Sequence, residues 1–362
     1  MAPDVTPPNA PRGLARVELD RLWSRGTEFL GCDIAIMGGA MSWVSERHLV
    51  SAISNAGGFG VIACGSMDPG QLAAEIAATQ ALTDRPFGVN LITLHPELDE
   101  LIRVCLEGRV GHIVLAGGIP PGGAVRAVKD GGAKLIAFAP ALVLARRLIR
   151  SGADALVIEG SEAGGHIGPV SLTVLAQEVL PHVREVPVFV AGGLGRGEAI
   201  LAFLDMGAAG AQLGTMFAAA TESIAHPRFK RAFIRAAARD ALPSVQLDAR
   251  FPVIPVRGLA NEGTRRFLDH QADTLRRFQS GELSKEAAQL AIEHFWAGSL
   301  RRAVIDGEVE TGSVMAGQSV GMVSAEQPVA AIIADLVEQA VAALLGRDRM
   351  ASPTARQPSG TG

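Results

Sequence analysis

The segment Ala155-Leu156-Val157-Ile158-Glu159-Gly160-Ser161-Glu162-Ala163-Gly164-Gly165-His166-Ile167-Gly168 places an apolar run before a glycine-rich loop that contains one histidine. A helix-like segment follows from Ser171. Glycine lets the backbone approach a flat ligand closely because it has no Cβ, and histidine can exchange a proton near neutral pH. The pattern predicts a strand, a ligand-binding loop and a helix. A flexible turn with an incidental surface histidine is the alternative for this segment taken alone.

The unit of apolar run, glycine-containing turn and helical segment occurs eight times in succession. The predicted strands are Ile34–Gly39, Phe59–Gly65, Pro86–Ile92, His112–Gly118, Ala133–Pro140, Ala155–Ser161, Val186–Gly193 and Ala209–Phe217. Their starts lie 21 to 31 residues apart. Continuous apolar strands are typical of a parallel sheet covered by helices.

Eight such units predict an α/β fold of the TIM (β/α)8 barrel type. A doubly wound open sheet is the alternative. The barrel is favoured because the units leave no obvious switch point and no G-x-G-x-x-G motif follows the first strand.

Four segments are predicted along the chain. Residues 1–15 are expected to be a disordered lead, and residues 16–240 the barrel, with a short amphipathic helix at Leu19–Phe29 plugging one end and an eighth helix at His226–Ala241. Residues 241–346 predict a helical appendage over the barrel mouth. This appendage begins with an irregular stretch at 242–258, continues with two helices within 263–302 and ends with a helix at Gln327–Leu345. Residues 347–362 are expected to be a disordered tail.

The composition excludes several classes of protein. At 362 residues, 48% of them hydrophobic and 19% charged, the chain can bury a large core, and a net charge of −4 argues against nucleic-acid binding. Three cysteines without a C-x-x-C pair predict neither a disulfide framework nor a metal site. No uninterrupted apolar run is expected to span a bilayer, and residues 1–12 lack a signal-peptide core. We expect a soluble cytoplasmic protein, with a homodimer left open.

Two glycine-bearing strand ends predict a phosphate site. The seventh strand ends in Val190-Ala191-Gly192-Gly193-Leu194-Gly195 and runs into a helix, and the eighth ends in Gln212-Leu213-Gly214-Thr215. Glycine amides and a helix N-terminus bind phosphate oxygens through unpaired N–H groups. Tight turns alone would also use glycine, but barrels commonly bind phosphate after strands seven and eight. The expected contacts are Gly192, Gly193, Gln212, Leu213, Gly214 and Thr215.

The remaining strand ends predict a planar, mostly uncharged ligand. Small residues occur there at Gly38-Gly39-Ala40-Met41, Gly88-Val89-Asn90, Ala116-Gly117-Gly118 and Ala163-Gly164-Gly165. This lining suits an isoalloxazine ring, with Asn90 at its edge, although Asn90 would serve equally as a cap of the turn after strand three. Pyridoxal phosphate needs a lysine at a strand end, and Lys134 lies at the wrong end of strand five. FMN is therefore the favoured cofactor, with Gly39, Met41 and Gly165 among its contacts.

His166 is distinguished from the other histidines by its place after a strand, in a glycine loop that faces the predicted mouth. The other histidines fall in or beside predicted helices, or at the opposite end of a strand, as His112 does. Glu162 is expected to assist His166 or to stabilise the loop. A role as general base is disfavoured, because a carboxylate there would repel an anionic substrate.

Together these motifs resemble the FMN-dependent barrel family that contains nitronate monooxygenase and enoyl-acyl carrier protein reductase II. The resemblance runs from about residue 30 to 345 and rests on the segments 54–60, 83–90, 162–166, 191–193, 212–215, 225–227 and 312–317. It implies FMN as the cofactor and His166 as the catalytic histidine. It also implies that FMN is lined by Asn90, Glu159, Gly164, Gly193, Gln212, Gly214 and Thr215.

One stretch departs from the family pattern. The family usually has Gln-Gly-Gly-Met at the end of strand one, whereas this chain has Met37-Gly38-Gly39-Ala40-Met41, without the glutamine and with one additional residue. By the resemblance this stretch approaches the reactive side of the flavin. The resemblance therefore does not give the orientation of the substrate.

The resemblance leaves two activities open. A nitronate monooxygenase would take electrons from a nitronate and use O2, whereas an enoyl-thioester reductase, or an NAD(P)H:flavin or quinone oxidoreductase, would be reduced by NAD(P)H. The runs Gly165–Gly168 and Ser313–Gly317 favour the reductase branch, but the strand-one loop does not fit it. An acidic acyl carrier protein would need a basic rim, and Arg228, Lys230, Arg231 and Arg235 are candidates, with a solvated helix face as the alternative. Nitronate monooxygenase chemistry is favoured because it needs no carrier-protein dock, and a non-catalytic flavin-binding barrel is the third interpretation.

Overall fold

Strands and helices alternate through most of the chain in this computed structural model, which describes residues 10–248 and 254–351. The strands are β1 Ile36–Gly38, β2 Gly60–Ala63, β3 Phe87–Ile92, β4 His112–Ala116, β5 Lys134–Phe138, β6 Ala155–Glu159, β7 Gly165–His166, β8 Val188–Ala191, β9 Gly210–Leu213, β10 Ala241–Pro243 and β11 Val256–Leu259.

The helices of the barrel and its amino-terminal plug are α1 Ala10–Leu22, α2 Ser24–Leu30, α3 Arg47–Asn55, α4 Pro69–Leu82, α5 Leu98–Glu107, α6 Gly122–Asp130, α7 Leu142–Arg150, α8 Leu172–Val179, α9 Gly197–Asp205, α10 Thr215–Ala218 and α11 Pro227–Arg235. The later helices are α12 Glu262–Gln279, α13 Lys285–Arg301 and α14 Val329–Ala351.

Eight of the strands form a closed parallel ring. Their order is β1-β9-β8-β6-β5-β4-β3-β2. A parallel bridge between Met37 and Phe59 closes the ring, in which the amide of Phe59 donates to the carbonyl of Ile36 at 2.9 Å and the amide of Gly38 donates to the carbonyl of Phe59 at 2.8 Å. The predicted TIM barrel is confirmed, and the predicted seventh and eighth strands are β8 and β9.

The last predicted strand was too long. Ala209–Phe217 was expected to be extended, but β9 ends at Leu213 and α10 begins at Thr215. The reason is the backbone of Gly214, whose φ of −109° and ψ of −67° turn the chain into the helix. The eighth barrel helix was also too long, because α11 ends at Arg235 and Ala236 adopts an extended conformation with ψ of 146°.

The predicted plug closes the amino-terminal end of the barrel. Phe29 and Leu30 pack against the barrel-interior residues. The carbonyl oxygen of Phe29 is bound both by the Lys134 ammonium group and, at 2.9 Å, by Nε2 of His112. Burial lowers the pKa of His112 to about 4. Lys134 and His112 therefore hold the plug at the closed end of the barrel, opposite the mouth.

The disordered lead and tail were predicted too long. The lead was expected to reach residue 15, but α1 begins at Ala10, and its apolar face, with Leu19 fully buried, packs against α14. The tail was expected from residue 347, but α14 continues to Ala351. The rest of both predicted segments, residues 1–9 and 352–362, lies outside the described residues.

The appendage contains a small antiparallel sheet in addition to helices. Strand β11 pairs with β10 on one side and with β7 on the other, so Val256 lies opposite His166. The stretch 242–258 was expected to be irregular, but its described residues include parts of β10 and β11. Residues 249–253 lie outside the described part of the chain. The two predicted helices are confirmed as α12 and α13, and α13 begins at an N-cap in which Ser284 Oγ accepts from the amide of Ala287 at 3.1 Å.

Helix α14 is long and apolar enough to cross a membrane by length and composition alone, over Val329–Arg347, although Asp335 and Glu338 interrupt its apolar sequence. In the fold it packs on α9 and α1. Its buried residues are Val329, Ile332, Ile333, Leu336, Ala340 and Val341. These positions repeat with the helical period, which identifies a face that packs into the protein core.

Candidate functional site

The first residues of the loop from Gly160 to Gly168 are fixed to the barrel. The amide of Gly160 donates to the carbonyl of Ala191 in β8 at 2.9 Å. The Glu162 carboxylate accepts from the amide of Leu172 at 2.9 Å and so caps the first turn of α8. Of the two roles predicted for Glu162, the geometry places it in loop stabilisation, because its side chain is directed to a helix N-terminus.

The segment Ser313–Gly317 lies directly against this loop. The amide of Gly317 donates to Thr215 Oγ1 at 3.0 Å, and the amide of Gln318 donates to the carbonyl of Glu162 at 2.9 Å. A Cβ on Gly164 would stand 2.5 Å from the Gly317 nitrogen, so only glycine fits there. The segment therefore brings the histidine loop and the end of β9 together, although they are distant in sequence.

The predicted phosphate contacts converge beside this segment. Gly192 and Gly193 have φ of +96° and +70°, and in the described residues their amides have no backbone partner. A Cβ on Gly193 would lie 2.9 Å from Cβ of Glu162. Because the Thr215 hydroxyl accepts from Gly317, its own proton is left to donate. These groups are suited to a phosphate ester.

One predicted contribution to that site is wrong. The helix after the seventh strand, α9, was expected to point its N-terminus at the phosphate. Instead, the amide of Gly197 donates to Gln339 Oε1 of α14 at 2.8 Å. A Cβ on Gly197 would lie 1.9 Å from the carbonyl oxygen of Leu336. The start of α9 is thus covered by α14, and the loop glycines remain as the donors.

Three polar side chains face the barrel axis at its mouth. Val157 belongs to the barrel interior, and Glu159, two residues further along β6, points to the same side because side chains alternate along a strand. Asn90 in β3 and Gln212 in β9 are buried, and Glu159 is half-buried. Within the described part of the chain, none of these three side chains makes a hydrogen bond. Polar side chains without hydrogen-bond partners at the barrel mouth fit the edge of a flavin ring, which offers both donors and acceptors.

Burial raises the pKa of Glu159 to about 8. Glu159 keeps some accessible surface and lines a cavity of about 230 Å³. At pH 7 the group is mostly protonated. It can therefore donate a hydrogen bond, as a neutral acid does.

Of the contacts predicted for Gly39, Met41 and Leu213, the first two lie where expected and the Leu213 side chain does not. The amide of Gly39 donates to the carbonyl of Leu213 at 2.8 Å, and Met41 Sδ lies 3.5 Å from where a Cβ on Gly214 would stand. Both residues are thus beside β9, as expected. The Leu213 side chain, however, belongs to the core cluster outside the barrel and is buried there. Only the backbone of Leu213 is available to the site, because its side chain alternates to the helix side.

His166 lies in β7 beneath the appendage. Its imidazole is 43% exposed, and Nε2 is 3.0 Å from Oε2 of Glu293 in α13. The neighbouring Gly165, with φ of +76°, lies beside Met315, whose Sδ would be 3.7 Å from a Cβ there. The structure therefore joins the histidine loop to the Ser313–Gly317 segment and to α13. The partner carboxylate was not predicted from the sequence.

Arg257 is a second residue that sequence reasoning missed. It is buried in β11, where Nε donates to the carbonyl of Ser161 at 2.9 Å and Nη1 to that of Ala241 at 2.6 Å. Burial lowers the pKa of its guanidinium, and Glu162 opposes this shift. Arg257 ties the histidine loop to the appendage sheet.

One of the four residues of the predicted basic rim, Lys230, is not available at the surface. Lys230 is buried, and its ammonium group lies 3.0 Å from Oε1 of Glu326. It serves as an internal ion pair and is not available to a carrier protein. Arg228, Arg231 and Arg235 remain exposed on one face of α11.

Comparison with known proteins places this geometry in a family. A curated (3aS,4S,5R,7aS)-5-hydroxy-7a-methyl-1-oxo-octahydro-1H-indene-4-carboxyl-CoA dehydrogenase from Mycobacterium tuberculosis is 35% identical over 232 residues, which cover 63% of this chain and 64% of that protein. A nitronate monooxygenase from Paraburkholderia phytofirmans is 28% identical, and the match covers 85% of this chain and 92% of that protein. The solved structure of FabK from Thermotoga maritima superposes with a TM-score of 0.80 at 34% identity, covering 91% of this chain and 99% of that one.

A sequence model of the nitronate monooxygenase family matches residues 24–105 and 97–339, which include every strand of the barrel and most of the appendage. The matched regions contain His166, both glycine-bearing strand ends and the Ser313–Gly317 segment. The chain therefore belongs to the nitronate monooxygenase family, whose members are oxidoreductases and in general depend on a flavin.

Proposed function

We propose that this chain is an FMN-dependent oxidoreductase that reduces an unsaturated acyl thioester with electrons from NAD(P)H. The observation that carries the choice of substrate is the pairing of His166 Nε2 with Glu293 Oε2 at 3.0 Å. A carboxylate beside the catalytic imidazole repels an anionic substrate such as a nitronate. It is compatible with the uncharged carbon–carbon double bond and carbonyl group of an enoyl thioester.

The residues at the mouth can hold FMN at both ends. The free amides of Gly192 and Gly193 and the Thr215 hydroxyl would bind the phosphate, and Asn90, Glu159 and Gln212 would bind the ring edge. Gly39, Met41, Gly164, Gly165 and Gly214 would line the remainder. The bound flavin would supply hydride transfer.

His166 is the proposed proton donor. An imidazole held by a carboxylate keeps a fixed orientation and can carry a proton to the substrate. His166 would donate that proton to the carbon next to the thioester carbonyl, while Glu293 orients the ring. The Ser313–Gly317 segment, packed on Gly164 and Gly165, would limit the access of water to this position.

The named relatives give independent support for a thioester. The Mycobacterium tuberculosis protein is named for a carboxyl-CoA substrate, and FabK is the enoyl-acyl carrier protein reductase of the family. Both are more similar to this chain, at 35% and 34% identity, than the Paraburkholderia phytofirmans enzyme at 28%.

Nitronate oxidation is the second candidate. It is supported by the family description and by the full-length match to the Paraburkholderia phytofirmans enzyme. In that case His166 would bind the anionic substrate, and Glu293 would have to move away from the imidazole. The exposure of both side chains leaves room for such a movement.

Anaerobic flavin bleaching separates the two candidates. The FMN-loaded protein is mixed without oxygen with NADH, NADPH or propionate 3-nitronate, and the flavin absorbance is followed. We expect a pyridine nucleotide to bleach the flavin, and crotonyl-CoA then to restore the colour, because the enoyl thioester accepts the hydride. Bleaching by the nitronate alone would contradict the thioester proposal, and bleaching by none of them would indicate a flavin-binding barrel without turnover.

A further inference from the structure

A cavity of about 230 Å³ extends from the barrel mouth toward α7. Its inner wall is formed by Glu159 at the end of β6 and Phe138 at the end of β5, and Gly168 of the histidine loop borders it. Leu144 and Leu148 of α7 and Ile119 of the loop after β4 complete an apolar lining. The cavity therefore adjoins Glu159 and the histidine loop of the proposed site and is apolar away from them.

One cation stands at this cavity. Arg147 is on α7 between Leu144 and Leu148, so the helical period directs all three to the same face. Its side chain is exposed and forms no ion pair or hydrogen bond with any residue in the described parts of the chain. An unpaired guanidinium beside an apolar cavity is suited to bind an anionic group of a ligand.

The cavity is too small for a complete coenzyme. At about 230 Å³ it lies below the ~300–1,000 Å³ typical of sites that enclose a whole drug-sized ligand. Glu159, the titratable group on the inner wall, is mostly neutral at pH 7 because burial raises its pKa to about 8. The space therefore suits a short, uncharged part of a larger molecule, whose charged part remains outside.

We propose that this cavity binds the acyl group of the thioester substrate and that Arg147 binds a phosphate of the carrier to which the acyl group is attached. This inference rests on the proposed thioester function and assigns a binding site to it. A short acyl chain or a single ring would lie between Phe138, Leu144 and Leu148. The thioester bond would then lie toward the mouth, near Gly168, and the phosphates of a coenzyme A or pantetheine carrier would lie over α7.

Calorimetric binding to the FMN-loaded protein tests the assignment. Two probes share the acyl group: crotonyl-CoA carries phosphates, whereas crotonyl-N-acetylcysteamine thioester carries none. We expect Arg147→Ala to weaken crotonyl-CoA binding roughly 3–10-fold, the effect of one exposed charge-assisted contact, and to leave the uncharged thioester unaffected. Arg147→Lys should restore part of the affinity. Arg146→Ala removes the adjacent exposed arginine, which does not line the cavity, and should change neither.

A second variant tests the apolar part. Leu144→Trp fills the cavity and should weaken both probes by about tenfold or more, because the acyl group is excluded. The assignment is overturned if wild-type protein binds neither probe, if Arg147→Ala binds crotonyl-CoA as tightly as wild type, or if Leu144→Trp binds both normally. Arg147-dependent binding without NAD(P)H-linked turnover would contradict the proposed function and leave the site standing. NAD(P)H-linked turnover together with binding that does not depend on Arg147 would contradict the assigned binding site and leave the proposed function standing.

Discussion

Replacing His166 by alanine is expected to slow turnover by roughly 10²–10⁴-fold, the usual contribution of a positioned acid–base group, while FMN stays bound. The imidazole links the β6–α8 loop to α13 through Glu293, with Nε2 and Oε2 3.0 Å apart. The proposed cofactor contacts lie on other residues. The measurement is steady-state turnover with whichever donor bleaches the flavin, together with the FMN content of each purified variant.

A matched histidine provides the control. His182 is exposed in a 3-10 turn after α8, away from the mouth, so His182→Ala should keep normal turnover. If Glu293 acts only through the imidazole, then adding Glu293→Gln to His166→Ala should slow the reaction no further. Normal turnover of His166→Ala would remove this residue from the mechanism.

Gly164→Ala is expected to weaken FMN binding by roughly 10–100-fold, equivalent to the ~1–3 kcal/mol of a methyl group forced into a packed site. The new Cβ would lie 2.5 Å from the Gly317 nitrogen and 2.6 Å from the carbonyl carbon of Ala316. Both are backbone atoms, so the segment must move. That movement breaks the hydrogen bond from Gly317 to Thr215, which positions the proposed phosphate donor.

The measurement is a titration of apo-protein with FMN, followed by quenching of flavin fluorescence, with a thermal melt of the same samples. Gly168→Ala is the control from the same loop, because a Cβ there meets nothing within 4 Å. We expect it to keep both its FMN affinity and its melting temperature. Equal FMN affinity in Gly164→Ala and wild type would show that the Ser313–Gly317 segment does not shape the cofactor site.

The barrel is predictable because its signal is local and repeated. Each strand is an apolar run followed by glycine, so an error of one or two residues at a strand end does not disturb the count of eight. The predicted strand ends are wrong where the backbone conformation overrides the composition. At Gly214 the chain turns and begins α10, although the neighbouring residues favour a strand. The predicted lengths of the outer segments are wrong for a related reason: helix α1 packs against α14, which is far away in sequence.

The site was predictable in part. Glycine at the ends of β8 and β9 and histidine after β6 are each recognisable from the residues that precede them. Glu293 is not, because it pairs with His166 across 127 residues of sequence and a helix whose orientation depends on tertiary packing. The same holds for Gln339, which accepts from the amide of Gly197 at the start of the helix whose N-terminus was expected to face the phosphate. Arg147 is one of three arginines in α7, and only the cavity distinguishes it.

The cofactor itself provides the most direct test. Purified protein is denatured, and the released chromophore is identified and counted by chromatography against FMN and FAD standards. The account predicts a yellow protein that releases FMN, close to one molecule for each chain, and no FAD. A colourless protein that takes up no added FMN, or one that releases FAD, would contradict it.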